Sequence, residues 1–423
     1  MSGDDRANWA GSYRYRAPRI VSATGPDEVR RLVAAGGRVR ALGTRHSFTD
    51  LADTTGTLVD LLGADPGFAL DAQRETVSVA GGVRYGVLAL WLEERGWALR
   101  NMGSLPHISI AGATATGTHG SGDANPVLSD SVVEIEYVGA DAALHTVSRG
   151  DPDFAAVVVG LGAYGIATRL TLGIRPSFRM RQDVYRGLAW DALLSAFDEI
   201  TGAGYSTSVF TKWDADEAGQ VWVKRELAAD DDAVPDLVAG ARRDDVSRRT
   251  LVDDIGDNVT EQGGVPGPWL LRLPHFRLDS TPSNGDELQS EYFVDRADAV
   301  PALEAVRALA DRVRPLLLVS ELRTMAQDEL WLSGAYGRDT LAIHFTWRND
   351  LAGVRDVLTD VEAALAPFGA RPHWGKVHGF DAERLAAVHP RLRDARAVFE
   401  RLDPEGTFSS RHLELLGVRA PRP

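Results

Sequence analysis

Residues 101–126 read NMGSLPHISIAGATATGTHGSGDANP. From Ala111 to Gly122, apart from His119, no side chain is larger than threonine. Such a run lets the backbone come close to a ligand, and successive amide groups can cradle a diphosphate. It equally suits a loop packed against another loop, so its surroundings must decide. LGTRHSF at 42–48 and AGGVRYG at 80–86 lie upstream, and GLGAYGIATRLTL at 160–172 lies downstream. Several glycine-rich turns after strands, gathered in one region, point to one wrapped cofactor. His46, in the tight loop between Arg45 and Ser47, is then either a turn residue or a residue bonded to that cofactor.

The three spaced glycines of GLGAYG do not make a nicotinamide dinucleotide loop. That loop must open a helix and be followed by an acidic residue about twenty positions on. Here IATRLTL follows, which is strand-like, and the acidic residue is missing.

Bulk properties exclude further classes. The chain has 423 residues, 44% hydrophobic and 25% charged, with a net charge of −14 and no cysteine. It is long enough for two or three domains' worth of core. Nucleic acid and anionic membrane surfaces are poor partners for an acidic chain without a basic stripe. Disulfides, thiolate metal sites and thiol nucleophiles are excluded. The histidines show no metal-ligand spacing, and no G-x-S-x-G elbow is present. MSGDDRANWAG lacks a signal-peptide pattern, and no apolar run is long enough for a bilayer, so the expected location is the cytoplasm. No protein partner is evident. The only lysines are Lys212, Lys224 and Lys376. Lysine is a compact charge whose pKa falls on burial. Lys212 and Lys224 sit in alternating, strand-like stretches and are read as having no special role.

The fold class expected is α+β. RVRALG, TLVDL, ETVSVAGG, a VVEIEYV…ALHTVS hairpin and GIATRLTLG read as strands, with VRYGVLALWLEERGW as a helix. From about residue 177, helices (WDALLSAFDEITGAG, AVPALEAVRALADRVRP, LAGVRDVLTDVEAALAPFG) mix with strands (GQVWVKREL, LQSEYFV, PLLLVSELRTM, DTLAIHFTW). That order suggests a mixed or antiparallel sheet covered by helices. The polar segment 228–262 reads as an excursion or a lid loop. The expected division is residues 9–176, 177–370 and a C-terminal segment 371–423 returning to the site.

Glu321 and Arg323 in VSELRT are two apart and share a strand face, as do His344 and Thr346 in LAIHFTW. If the strands are neighbours, they form one polar patch on an apolar sheet, suited to hydrogen-bonding several hydroxyls. Lys376, in RPHWGKVHGF, is a candidate base or electrostatic clamp.

Together LGTRHSF, NMGSLPHISIAGATATGTHGSG, GAYGIATRLTL, SELRT, AIHFTW and RPHWGK resemble the alditol oxidases (xylitol or sorbitol oxidases) of the vanillyl-alcohol-oxidase superfamily. The resemblance runs from Trp9 to RLDPEGTF near the C-terminus. It implies a two-lobed FAD-binding domain of the PCMH type plus a substrate-binding cap. It implies FAD joined covalently to His46. FAD contacts would come from Gly43, Thr44, Arg45, His46 and Ser47, from Ser104, Ser109 and Gly112, from Thr116, Gly117, Thr118 and His119, and from Ile166 and His373. Ser104, Glu321, Arg323, Thr346 and Lys376 would hold the polyol, with His344 beside them. Lys376, Arg323, Glu321 and His344 would carry the chemistry. The implied reaction takes a hydride from the terminal alcohol carbon of xylitol, sorbitol or glycerol, and dioxygen becomes hydrogen peroxide. An aldonolactone oxidase or dehydrogenase is the alternative on the same scaffold. Gly103, small where the superfamily leaves a path for dioxygen, fits an oxidase.

Overall fold

A computed structural model describes residues 6–228, 233–250, 256–280 and 286–422. The segment 228–262 therefore falls partly outside the described residues.

Within residues 6–176 two small sheets flank a slot, beside a two-stranded ribbon of Trp97–Ala98 and Arg175–Pro176. Arg19–Ser22, Thr57–Asp60 and Val39–Ala41 form a parallel three-stranded sheet with Thr57–Asp60 in the middle. Helix Pro26–Ala34 buries Val29 and Val33 against it, with Pro26 at its first turn. The second sheet is antiparallel, in the order Ala69–Asp71, Thr76–Ala80, Ile166–Gly173, Val132–Val138, Leu144–Ser148. Alternation in Ile166–Gly173 is regular, every second residue being buried, as a sheet with one face on a core requires. The GLGAYG turn places Leu161 and Gly162 at positive φ and feeds this strand.

The small-residue run is not all loop. Ile110–Ala115 is a short helix, preceded by Ser109 in extended backbone. The hydroxyls of Thr114 and Thr116 donate back to carbonyls one turn earlier, Ile110 and Gly112, at 3.0 and 3.1 Å. Those bonds satisfy polar side chains locally and let a glycine-rich turn stay helical.

The second region is one large sheet, described as ten strands. Its centre runs Arg179–Ala189, Glu217–Leu227, Ser206–Thr211, Leu317–Met325, Thr340–Arg348, Glu287–Asp295, all neighbours antiparallel. Arg179–Ala189 and Ser206–Thr211 were not among the expected strands. The first hides its identity because it buries charge: Arg181 and Asp183 pair at 2.8 Å inside the sheet. The second carries serine and threonine at buried positions. One sheet face is apolar, with Leu322, Ile343 and Phe345 in the main core beside Leu303, Val354 and Val361 of helices Ala299–Arg307 and Leu351–Leu365. Tyr292 reaches across to Glu362 on the second helix at 2.9 Å. The other face looks toward the first region.

The C-terminal segment closes back on the first region. Val39 N–H donates to Thr407 C=O at 2.8 Å, and Phe48 N–H to Gly375 C=O at 2.7 Å. No helix among the described residues is long and apolar enough to cross a membrane.

Candidate active site

Between the two small sheets and the polar face of the large one lies a single cavity of about 780 Å3. Its inner part is a backbone-lined slot. Gly43 and Gly112 lie against each other on its wall, a Cβ on Gly43 falling 3.6 Å from the Gly112 Cα, and a Cβ on either would come within 2.8 Å of Ser109 Oγ. That hydroxyl is buried without a hydrogen-bond partner. Thr44 Oγ1 accepts from Ser109 N–H at 3.1 Å, tying the 43–47 turn to the helix. Arg45 sits at φ 65°, the left-handed region that sharp turns use.

This turn presents His46. Its Nδ1 lies 3.1 Å from Thr44 Oγ1, and its Nε2 is buried with no partner. Trp9 stacks on the ring at 5.2 Å. Burial, aided by His107 and Arg84, pushes the imidazole down to about 4. A neutral imidazole carries one lone pair, and it stands on the open Nε2 in the tautomer whose Nδ1–H donates to Thr44 Oγ1. The unpartnered buried groups and the glycine cradle fit a flat, hydrogen-bonding cofactor.

Of the expected cofactor contacts, Gly43, Thr44, Arg45, His46, Ser47, Ser104, Ser109, Gly112, Thr116, Thr118, His119, Ile166 and His373 line the cavity. Gly117 does not. At φ 68° it turns the chain between its two lining neighbours, a bend a side chain would strain. Next to Ser104, a Cβ on Gly103 would find neighbours no nearer than 3.6 Å, so the glycine leaves real space.

The outer part of the cavity is the polar sheet face. Register sets Glu321 opposite His344, and His344 opposite Glu291, in one row across three strands. Thr346 and Gln289 form the next row. The four expected polar residues are thus brought together, and Lys376 and Ser104 join them from loops.

Sequence reading missed the centre of this patch. Glu291 is 1% exposed. It accepts from Arg323 Nη2 at 2.7 Å and Lys376 Nζ at 2.8 Å. His119 Nε2 lies 3.2 Å from the same carboxylate, at ion-pair distance rather than in hydrogen-bond geometry. Burial pushes Glu291 up, but Lys376, His119 and Arg323 together pull it well below the usual carboxylate range. Arg323 also faces Glu321 Oε2 at 3.5 Å and Ser104 Oγ at 3.4 Å. Burial lowers Lys376, with Arg323 acting the same way and Glu291 opposing. Desolvation is the largest of these causes, and the direct partner of the amine is Glu291. The available signal was the alternation of Glu287, Gln289 and Glu291 in ELQSEYFV.

Lys224, expected to have no special role, lies inside the protein. It is 1% exposed, donates to Leu273 C=O, and lies 3.0 Å from His275 Nδ1. His275 Nε2 in turn lies 2.7 Å from Glu321 Oε1. Lys212 is exposed.

Known proteins share this architecture. Residues 17–148 match the family model of an FAD binding domain, and 285–416 that of D-arabinono-1,4-lactone oxidase. An alditol oxidase from a Streptomyces species is 43% identical over 409 residues, covering 96% of this chain and 97% of that protein. The chain belongs to the alditol oxidase family. L-gulono-1,4-lactone dehydrogenase of Mycobacterium tuberculosis is 31% identical, covering 95% of this chain and 96% of that one. Cholesterol oxidase from Brevibacterium sterolicum superposes with a TM-score of 0.80 over 97% of this chain and 96% of that one, at 15% identity, a likeness of fold alone. As a member of the alditol oxidase family the protein is an FAD-dependent oxidoreductase, and its glycine-lined slot is suited to that cofactor.

Proposed function

We propose that the protein oxidises the terminal primary alcohol of alditols such as xylitol, sorbitol or glycerol to the aldose, with dioxygen reduced to hydrogen peroxide, and that its FAD is bonded to His46. The supporting observation is the joining of two chemistries in one cavity: a cofactor slot ending at an open imidazole nitrogen, and a ladder of hydroxyl-binding side chains facing it. In this reading residues 9–176 hold FAD, 177–370 form the substrate cap, and 371–423 return Lys376 and His373 to the centre. The protein works in the cytoplasm, on small molecules.

When bound, FAD supplies the acceptor for the alcohol's hydride and hands the electrons to dioxygen. The chain's own residues orient and polarise the alcohol. Lys376 Nζ and Arg323 Nη atoms hold the reacting oxygen. Glu291, bonded to both, keeps them together, and Lys376, its amine pushed down by burial, takes the hydroxyl proton as the hydride leaves the carbon. Glu321 accepts from a substrate hydroxyl, and Thr346, Gln289 and Ser104 meet the rest of the chain. Holding the alcohol in one orientation in a dry site is where such a protein contributes most.

Acid precipitation tests the bond. Yellow that stays in the washed pellet of wild type and leaves with the supernatant in His46→Ala supports it; yellow that leaves wild type overturns it. A second reading, oxidation of sugar 1,4-lactones, draws on the D-arabinono-1,4-lactone oxidase match over 285–416. Turnover of xylitol or sorbitol with oxygen, against a sugar lactone with a dye acceptor, separates the two.

A further inference from the structure

Lys224 reaches the substrate patch from a side that the reading above does not use. Its strand Glu217–Leu227 lies one strand beyond Ser206–Thr211, which itself pairs with the strand of Glu321. The lysine spans that gap through His275. The Glu321 carboxylate, held ionised, can only accept, so in a neutral His275 ring Nδ1 keeps the lone pair and accepts from Lys224 Nζ, 3.0 Å away. The remaining hydrogen of the neutral ring must then sit on Nε2, which donates to Glu321 Oε1 at 2.7 Å. Burial and the neighbouring lysine push His275 down to about 4, consistent with that neutral form.

His275 does a second thing at once. Its backbone N–H and that of Phe276 both donate to Ser104 C=O, at 3.2 and 3.1 Å. One residue thereby sets two of the hydroxyl-binding positions, Glu321 from the cap and Ser104 from the cofactor side. Burial pushes the Lys224 amine down to about 7. Burying an amine is unfavourable, and a methionine would fill this space without that cost. The lysine instead meets the Leu273 carbonyl and the His275 ring, two acceptors that a methionine would leave unsatisfied.

We propose that Lys224 and His275 are positioning residues for the polyol: Lys224 locks the His275 tautomer whose Nε2–H orients the Glu321 carboxylate toward the substrate's hydroxyls. This rests on the alditol reading of the site.

The test mixes FAD-loaded wild type, Lys224→Met, His275→Gln and the double variant with xylitol without oxygen, and follows bleaching of the visible band. Lys224→Met is expected to raise the apparent Kd for xylitol about tenfold, as for one hydrogen bond to a charged group. The limiting rate at saturation should stay within about threefold and the oxidised spectrum unchanged, since no group on the reacting oxygen is removed. The double variant should bind no worse than the weaker single one, because both break the same string. Lys224→Arg, which keeps donors, should restore much of the affinity. An unchanged Kd in Lys224→Met, additive losses in the double variant, or a lost rate at unchanged Kd each overturn the proposal. If Lys224→Met does not fold, His275→Gln decides alone: unchanged Kd refutes the string, a raised one upholds it. Wild type that no polyol bleaches overturns the alditol reading itself.

Discussion

Glu291 is the residue on which the site turns. A carboxylate almost fully buried is held ionised by an arginine, a lysine and a histidine, each within 3.2 Å. Removing one partner of such a cluster leaves the others buried and uncompensated, typically destabilising by about 3–5 kcal/mol. Glu291→Gln is therefore expected to lower Tm by several degrees. It should also reduce kcat/KM for xylitol by about a hundredfold or more, because Lys376 and Arg323 lose their common anchor. Melting curves and steady-state rates check this; a variant with full activity would remove Glu291 from the clamp. The residue was hidden in sequence because a glutamate in an alternating strand usually faces water. Only the strand on the other side of His344 reveals that this face is covered. Glu321, Arg323, His344 and Thr346 were legible because a period of two puts each pair on one face whatever the fold.

At the scale of elements, the site depends on how the turn 119–125 is fastened to the large sheet. Gly122 N–H donates to Thr324 C=O at 3.0 Å, and Asp123 accepts from Thr324 Oγ1 at 2.5 Å. Arg296 grips Asp123 at 2.6 Å while also holding Asp198. His119 stands at the start of this turn and Arg323 is next to Thr324, so the bolt aligns both with Glu291. Asp123→Ala leaves Arg296 and Thr324 short of an acceptor, and should lower stability by roughly 1–3 kcal/mol. It should also raise KM for the polyol more than it lowers kcat, since it acts on alignment. Thermal melts with steady-state kinetics would show it; a fall in Tm with KM unchanged would make the bolt structural only. The strands carrying motifs were readable from alternation, whereas Arg179–Ala189 was not, because its buried Arg181–Asp183 pair breaks the apolar pattern.

For the whole molecule, burial of imidazoles predicts how stability varies with pH. Burial holds His275 at about 4, His373 at about 3 and His378 at about 3. Unfolded, each would titrate near ~6.5. Between those values the unfolded chain binds more protons, so stability is complete above about pH 6.5 and drains away on acidification. Glu291 and Glu321, held below the ordinary carboxylate range, act in the same direction further down: their contribution is present above about pH 4.3 and lost as pH falls toward their folded values. The Tm of the FAD-loaded enzyme should be level above pH 7 and fall steadily from about 6.5 to 4.5. His378→Asn should make that fall shallower by close to one proton. A Tm that stays level to pH 5 would refute the neutral, buried state of these rings.

By itself the sequence determined the periodicities, the small-residue cofactor run with its histidine, the absence of thiol chemistry, and which polar residues share a strand face. These are local properties, set by backbone geometry over a few residues. Tertiary structure alone decided that three separate strands bring Glu321, His344 and Glu291 into one row. It also decided that Lys376 is held by Glu291, and that Lys224 reaches Glu321 through His275. A charge's role depends on which partners remain once water is excluded, and those partners are brought together only when distant segments pack.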